Sequence, residues 1–319
     1  PGMDSQKTNS YGVKITKEFN TFNFKSLTSM TKTDVAFSYD ADWGNPESHF
    51  PYIYDYFSET LRKRDTFSQE IRFLSKDLNF SQRNLFEWIF GIDINELKET
   101  NVTRDDGIYG DPSDPYGPYE SETMVSRNYE ANNLSLFGNV DYFLAENYTL
   151  SAGLRWENWD AKYNDSNDES FNPSDNMNGG KISLIKNNNN SNIYFSIARG
   201  YKQGGFNLGL DATDYINNSL IYDPEFLTNY EIGFNSNMIN SNFNYSAVLF
   251  FSNRNDQQVL ISRQVDPTDP NTFSYLTQNA AEGENYGLEI SSNYFVSDNL
   301  YLFANLGFLK TKIKNWQSR

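Results

Sequence analysis

Cysteine is absent from the 319 residues, which removes disulfide scaffolds, zinc thiolates and thiol catalysis from consideration. No apolar run approaches the roughly 20 residues that a membrane helix needs, and mean hydropathy is -0.69; a helical membrane protein is excluded. Basic side chains are few, 26 against 42 acidic, for a formal net charge of -16. Nucleic acid, whose recognition needs a basic footprint, is therefore not an expected partner. Histidine occurs once, at His49, and no nucleophile stands at usable spacing from a base. Nor do the scattered carboxylates make a convincing glycosidase pair. The sequence reads as a non-enzyme with no cofactor.

What is present is a rhythm. Alternating apolar and polar stretches recur along the chain, and the breaks between them are alternately short and long. Short breaks fall at 17–21, 76–83, 145–147, 187–191, 239–242 and 296–299, and long Asp- and Asn-rich excursions at 41–65, 97–128, 160–179, 203–226 and 255–283. Short turns at one end and long extracellular loops at the other describe an all-β, antiparallel up-and-down transmembrane β-barrel. Low hydropathy does not oppose this, because only every second strand residue must be apolar. Aromatic residues are 16% of the chain, more than a polar soluble core needs, and interfacial girdles would use them. The acidic surplus fits general solubility, or an exposed surface sharing divalent cations with lipopolysaccharide.

The predicted strands cover 13–17, 21–31, 66–75, 85–94, 133–144, 148–159, 181–186, 192–202, 230–238, 243–254, 286–295 and 300–313. Positions 258–263 and 273–279 are read as extra strand above the membrane. The faces separate by alternation. Tyr148, Leu150, Ala152, Leu154 and Trp156 share one face, opposite Thr149, Ser151, Gly153, Arg155 and Glu157. Phe243, Tyr245, Ala247, Leu249 and Phe251 repeat the pattern, as do Leu300, Leu302, Ala304, Leu306 and Phe308. A lipid-facing exterior and a wet or plugged lumen account for both faces.

The chain opens on Pro1-Gly2-Met3-Asp4 without an export signal and closes on a segment with no terminal aromatic strand. Both ends therefore read as cut. Isolated in this form, the sheet would carry two open edges and is expected to aggregate or insert poorly.

Several local patterns resemble the barrel domain of TonB-dependent outer-membrane receptors. Gln69-Glu70-Ile71-Arg72, running to Ser75, is similar to a strand of that family, and Phe86 to Gly91 to the strand after it. Leu136 to Val140, Leu150 to Trp156, and above all Gly200-Tyr201-Lys202-Gln203-Gly204-Gly205-Phe206-Asn207 continue the likeness. Pro224-Glu225, Tyr230-Glu231-Ile232-Gly233 and Tyr286-Gly287-Leu288-Glu289 follow in the family's order. The resemblance implies that residues 1–319 are about twelve strands from the middle of a barrel of about 22. It further implies that an N-terminal plug, the segment contacting TonB and the terminal strands lie outside this sequence. The implied partners are the TonB complex through that plug, outer-membrane lipid and lipopolysaccharide, and a ferric siderophore or similar small ligand.

Tyr109, Tyr116 and Tyr119, among Asp105, Asp106, Asp111 and Asp114, are candidates to stack on a chelate or sugar; a solvated turn-rich loop is the competing reading. Arg155, Arg199, Lys202 and Arg254, with Gln203 beside them, sit near strand tops and are candidates to attract an anionic chelate. Pairing with Glu157, Glu231 or plug carboxylates is the alternative. Gly204-Gly205 reads as a strand-to-loop bend, not a phosphate cradle. His49 lacks the motif of the family's haem receptors, and Asp165, Asp168, Glu169 and Asp175 lack EF-hand spacing. Active uptake of a ferric siderophore is the leading expectation. Oligosaccharide or cobalamin uptake, a passive porin and a soluble carbohydrate-binding protein are the alternatives.

Overall fold

The computed structural model describes residues 2–42, 44–45, 47–76, 85–208, 220–236, 242–264, 268, 273–297 and 299–316. Its strands are β1 (Met3–Glu18), β2 (Phe22–Asp40), β3 (Ile53–Ser75), β4 (Phe86–Gly110), β5 (Tyr119–Ala145), β6 (Tyr148–Asp165), β7 (Ser170–Phe171), β8 (Ser174–Asn188), β9 (Ser191–Lys202), β10 (Gly205–Phe206), β11 (Ile221–Tyr222), β12 (Glu225–Ser236), β13 (Phe243–Gln264), β14 (Phe273–Ser297) and β15 (Leu300–Trp316). Twelve of them form one path, β1-β2-β3-β4-β5-β6-β8-β9-β12-β13-β14-β15, each antiparallel to the next. The short β7 adds to β6, and β10 with β11 makes a separate ribbon. No helix occurs among the described residues.

Each of the twelve expected strands falls on one strand of this path, with the starts expected at 21 and 85 lying one residue before β2 and β4. The expected turns at 76–83 and 239–242, and the end of the strand expected at 230–238, lie largely outside the described residues. The principal correction is strand length. Much of the long excursions expected at 41–65, 97–128 and 160–179 is ladder, because β3, β4 and β5 run to 23, 25 and 27 residues, whereas the extra strand expected at 258–263 and 273–279 lies within β13 and β14. A tilted strand crosses a bilayer in roughly 9–11 residues, so these hairpins continue far beyond it. The cause lies in residues such as Arg62-Lys63-Arg64-Asp65 and Lys98-Glu99-Thr100-Asn101. They are polar on both faces, yet their backbones still pair, as in Arg64↔Glu99 and Lys63↔Thr100.

The sheet has one polar and one apolar wall. Glu70 pairs with Asp93, Asp93 with Ser135, and Ser135 with Glu157, which carries the polar wall across β3 to β6. The apolar wall leaves Leu154 77%, Leu249 56% and Leu306 58% exposed, as a surface solvated by hydrocarbon requires. Tyr148 and Trp156 bracket the aliphatic residues of β6, and Lys186 lies 5.5 Å from the Tyr148 ring at the short-turn end. The best-buried apolar cluster lies instead on the polar wall, higher up. There Trp159, Met177, Ala131 and Ala161 pack with Leu97, Tyr129 and Tyr201.

Candidate functional site

Three arrangements lie at or above the level where the strands leave the membrane. The first is a cleft of about 620 Å³ at the far end of the β3-β4-β5 hairpins, lined by His49, Phe50, Tyr52, Tyr54, Tyr109 and Tyr119. Tyr109 and Tyr119 are register partners at the closing end of their ladder, with ring centroids 5.6 Å apart. The connection between them is folded by its own aspartates. Asp111 Oδ1 accepts from the backbone N–H of Ser113 at 2.8 Å and from its hydroxyl at 2.7 Å. Those bonds, the side-chain one foremost, hold the Asp111 carboxyl below its ordinary value. The Tyr119 hydroxyl donates to Asp114 Oδ2 at 2.9 Å, which raises its phenol pKa.

The opposite side of the cleft is built by a turn in which Tyr52 N–H donates to the His49 carbonyl at 2.8 Å. The His49 and Tyr54 rings lie 4.9 Å apart. Asp42 anchors this turn by accepting from Gly44 N–H at 2.8 Å and Tyr56 N–H at 3.2 Å. The Gly44 bond is the main cause of its lowered pKa.

The second arrangement is a network on the polar wall. Glu157, 7% exposed, accepts from Asn133 at 2.8 Å, Ser135 at 3.1 Å and Tyr201 at 3.0 Å. The Arg155 guanidinium reaches the same carboxylate at 3.0 Å and Asp93 at 3.8 Å. It also donates to the Ser135 hydroxyl at 2.7 Å.

The third is the ribbon of β10 and β11, laid on the polar wall and tied at both sides. Phe206 packs 5.3 Å from Tyr163, 5.0 Å from Phe171 and 6.1 Å from Tyr129. Asn207 exchanges two bonds with the backbone of Thr277, at 2.9 and 2.7 Å. The Asn279 amide donates to the carbonyls of Asp223 and Asp256, both at 2.8 Å. Glycine is needed where the chain enters. A Cβ on Gly204 would stand 2.5 Å from the Tyr222 carbonyl oxygen. Gly204 N–H bonds the Asp175 carboxylate, but burial, aided by the charge of Asp223, prevails and raises the Asp175 pKa. Burial, with a bond to Asp165, pushes the Tyr163 phenol to about 12.

The eight expected site residues are therefore distributed over several places. Tyr109 and Tyr119 come together in the cleft, while Tyr116, 85% exposed, stands at the tip and does not line it. Arg155 and Arg254 are on the polar wall, ion-paired with Glu157 and, at 3.1 Å, with Glu225, not with Glu231. Lys202 ends β9 exposed, and the Gln203 carbonyl accepts from the Gln258 amide at 2.8 Å. Arg199 is on the opposite, apolar wall: it shares a face with Ile193, Phe195 and Ile197 and lies 4.2 Å from the Phe226 ring. Asp165 is occupied in a local turn, accepting from the N–H groups of Asn167 and Glu169 at 2.9 and 3.0 Å. No group of three or more metal-ligating side chains occurs among the described residues. Sequence reasoning missed Phe50, Tyr52 and Tyr54, although 49–57 is dense in aromatics, and it missed Trp159, Tyr163 and Phe206.

Comparison with known proteins follows the fold closely. A sequence model of the TonB dependent receptor-like β-barrel matches residues 2–318. The probable TonB-dependent siderophore receptor PiuA of Acinetobacter baumannii is 27% identical over 198 residues, 59% of this chain and 25% of that protein. Among solved structures, the ferric yersiniabactin uptake receptor FyuA of Yersinia pestis superposes with a TM-score of 0.68 at 16% identity, over 97% of this chain and 43% of that one. The copper transporter OprC gives 0.69 at 15% identity, over 98% and 48%. The chain thus spans a quarter of the curated relative and under half of these solved structures.

Proposed function

The chain belongs to the TonB dependent receptor-like β-barrel family, and from that membership we propose that it forms the middle of the barrel of an active outer-membrane importer for a ferric siderophore. Proteins of this family reside in the outer membrane of Gram-negative bacteria, and so does this one. In the proposed protein, residues 1–319 supply about half the barrel wall, and a plug and further strands come from the rest of a longer chain. Ligand is captured at the long-connection end. The plug then rearranges under force transmitted by TonB, and the lumen serves as conduit.

The observation that carries this reading is the continuous antiparallel path of twelve strands with one polar and one apolar wall. The siderophore is favoured because receptors named for siderophores recur among the similar proteins. The Tyr109–Tyr119 cleft supports it chemically, since its exposed rings offer stacking surface for an aromatic chelator.

The test is uptake of radiolabelled ferric siderophores by cells expressing the full-length protein, with and without functional TonB. Accumulation is expected only with TonB. Uptake that persists without it would replace this reading with a passive channel. A Tyr109→Ala/Tyr119→Ala double variant should weaken surface binding about tenfold, the equivalent of roughly 1.4 kcal/mol, and Tyr116→Ala less than twofold. Equal effects of the two would remove the cleft from the proposal.

A further inference from the structure

Arg199 is a cation on the apolar wall, where Lys186 and Lys310 also stand, beside tyrosine rings. It is the ninth residue of β9; a tilted strand crosses a bilayer in roughly 9–11 residues, so its guanidinium lies at headgroup level in the leaflet beneath the long connections. Trp156, in the neighbouring row, marks the same level, as interfacial tryptophans do. Arg62, Arg64, Arg72, Arg104, Arg155 and Arg254, on the polar wall and upper hairpins, each face a carboxylate. Arg199 instead donates to the Asn178 side-chain oxygen and stacks on Phe226, both uncharged. Among the described residues no ion pair involves it.

The wall beside it is grooved. One register row runs Phe90↔Gly138, Gly138↔Leu154, Leu154↔Gly180 and Gly180↔Arg199. That row borders a depression of about 990 Å³, whose lining includes Phe90, Leu154, Trp156 and Ile182 and which ends at Arg199; the Phe90 ring and the Leu154 side chain lean over Gly138 and Gly180. A charge facing hydrocarbon is costly, and marks a functional site unless it finds a partner. An acyl chain fits the groove, and an anionic headgroup oxygen fits the guanidinium, which forks toward phosphate.

We propose that this groove is a binding site for a phosphate-bearing acyl lipid of the outer leaflet, its phosphate held by Arg199 and an acyl chain laid past Gly180 and Gly138. The site is separate from the cleft that takes the proposed siderophore, and it rests only on the barrel's place in the membrane.

The test is native mass spectrometry of the full-length receptor in detergent with hexa-acyl lipid A, in its phosphorylated and dephosphorylated forms. Wild type should retain one phosphorylated lipid at least fivefold better than the dephosphorylated one, and excess inorganic phosphate should not displace it. Arg199→Gln should abolish that preference, Arg199→Lys should keep part of it, and Lys186→Gln, on the same wall at the other leaflet, should leave it intact. Equal retention of both lipids by wild type, or an undiminished preference in Arg199→Gln, overturns the proposal. The wild-type comparison of the two lipids decides even if Arg199→Gln fails to fold.

Discussion

Two faces of one strand behave as two materials. On the polar face of β6, Arg155 and Glu157 are bonded to each other and to Ser135, Asn133 and Tyr201. On its apolar face, one residue away, Leu154 stands 77% exposed with no polar partner to seek. The difference shows where each wall draws its stability. The polar wall meets an aqueous or protein-filled lumen and must satisfy its own charges; the apolar wall is finished by the bilayer.

The comparison breaks most visibly if charge is moved across it. Leu306→Arg, on the apolar wall, should destabilise the full-length barrel by roughly 2–4 kcal/mol in a bilayer, whereas Asn305→Arg, its neighbour on the polar wall, should cost far less. Urea unfolding in lipid vesicles reads both. Similar costs at the two positions would dissolve the distinction. A smaller effect is expected inside the polar wall. Glu157→Gln leaves Arg155 with Asp93 at 3.8 Å as its remaining carboxylate, and should cost about 2 kcal/mol, below the full value of a buried pair because Arg155 is 39% exposed. A double-mutant cycle with Arg155→Gln should return a coupling energy; additive losses would mean that the pair contributes nothing.

The smallest expected change concerns the aromatic cluster under the β10-β11 ribbon. Tyr163 has its phenol pushed to about 12 in the folded protein, against about 10 when unfolded. The folded state therefore favours the protonated phenol. That contribution is complete below pH 10 and is lost as pH rises from 10 to 12. Phenolate absorbance should show tyrosine titrating late, and Tyr163→Phe should lower the amplitude of that late step. A titration unchanged by the substitution would place the group elsewhere.

Strand existence and the identity of the two walls were legible because a bilayer imposes strict alternation, as Leu150 and Leu154 opposite Ser151 and Arg155 illustrate. Strand length was not legible. Above the bilayer both faces meet water, so the signal lapses while the backbone ladder continues, as at Arg64↔Glu99. Site geometry depended on register. Tyr109 and Tyr119 are ten positions apart in sequence, and they meet only because the intervening connection closes their hairpin. Arg199 was grouped with the lumenal cations by its nearness to a strand top. The run Ile193, Phe195, Ile197, Arg199 already held its position on the apolar wall, since a shift of one residue changes the face.

The most direct test uses the absence of cysteine from these 319 residues, which makes every introduced thiol in this segment traceable. Single cysteines at 149, 150, 151, 152, 154 and 155 of the full-length receptor in lipid vesicles would carry spin labels probed by dissolved oxygen and by a water-soluble nickel chelate. Leu150, Ala152 and Leu154 should report hydrocarbon, and Thr149, Ser151 and Arg155 a polar lumen, with a period of two. Uniform water accessibility along the strand would contradict the barrel wall described here.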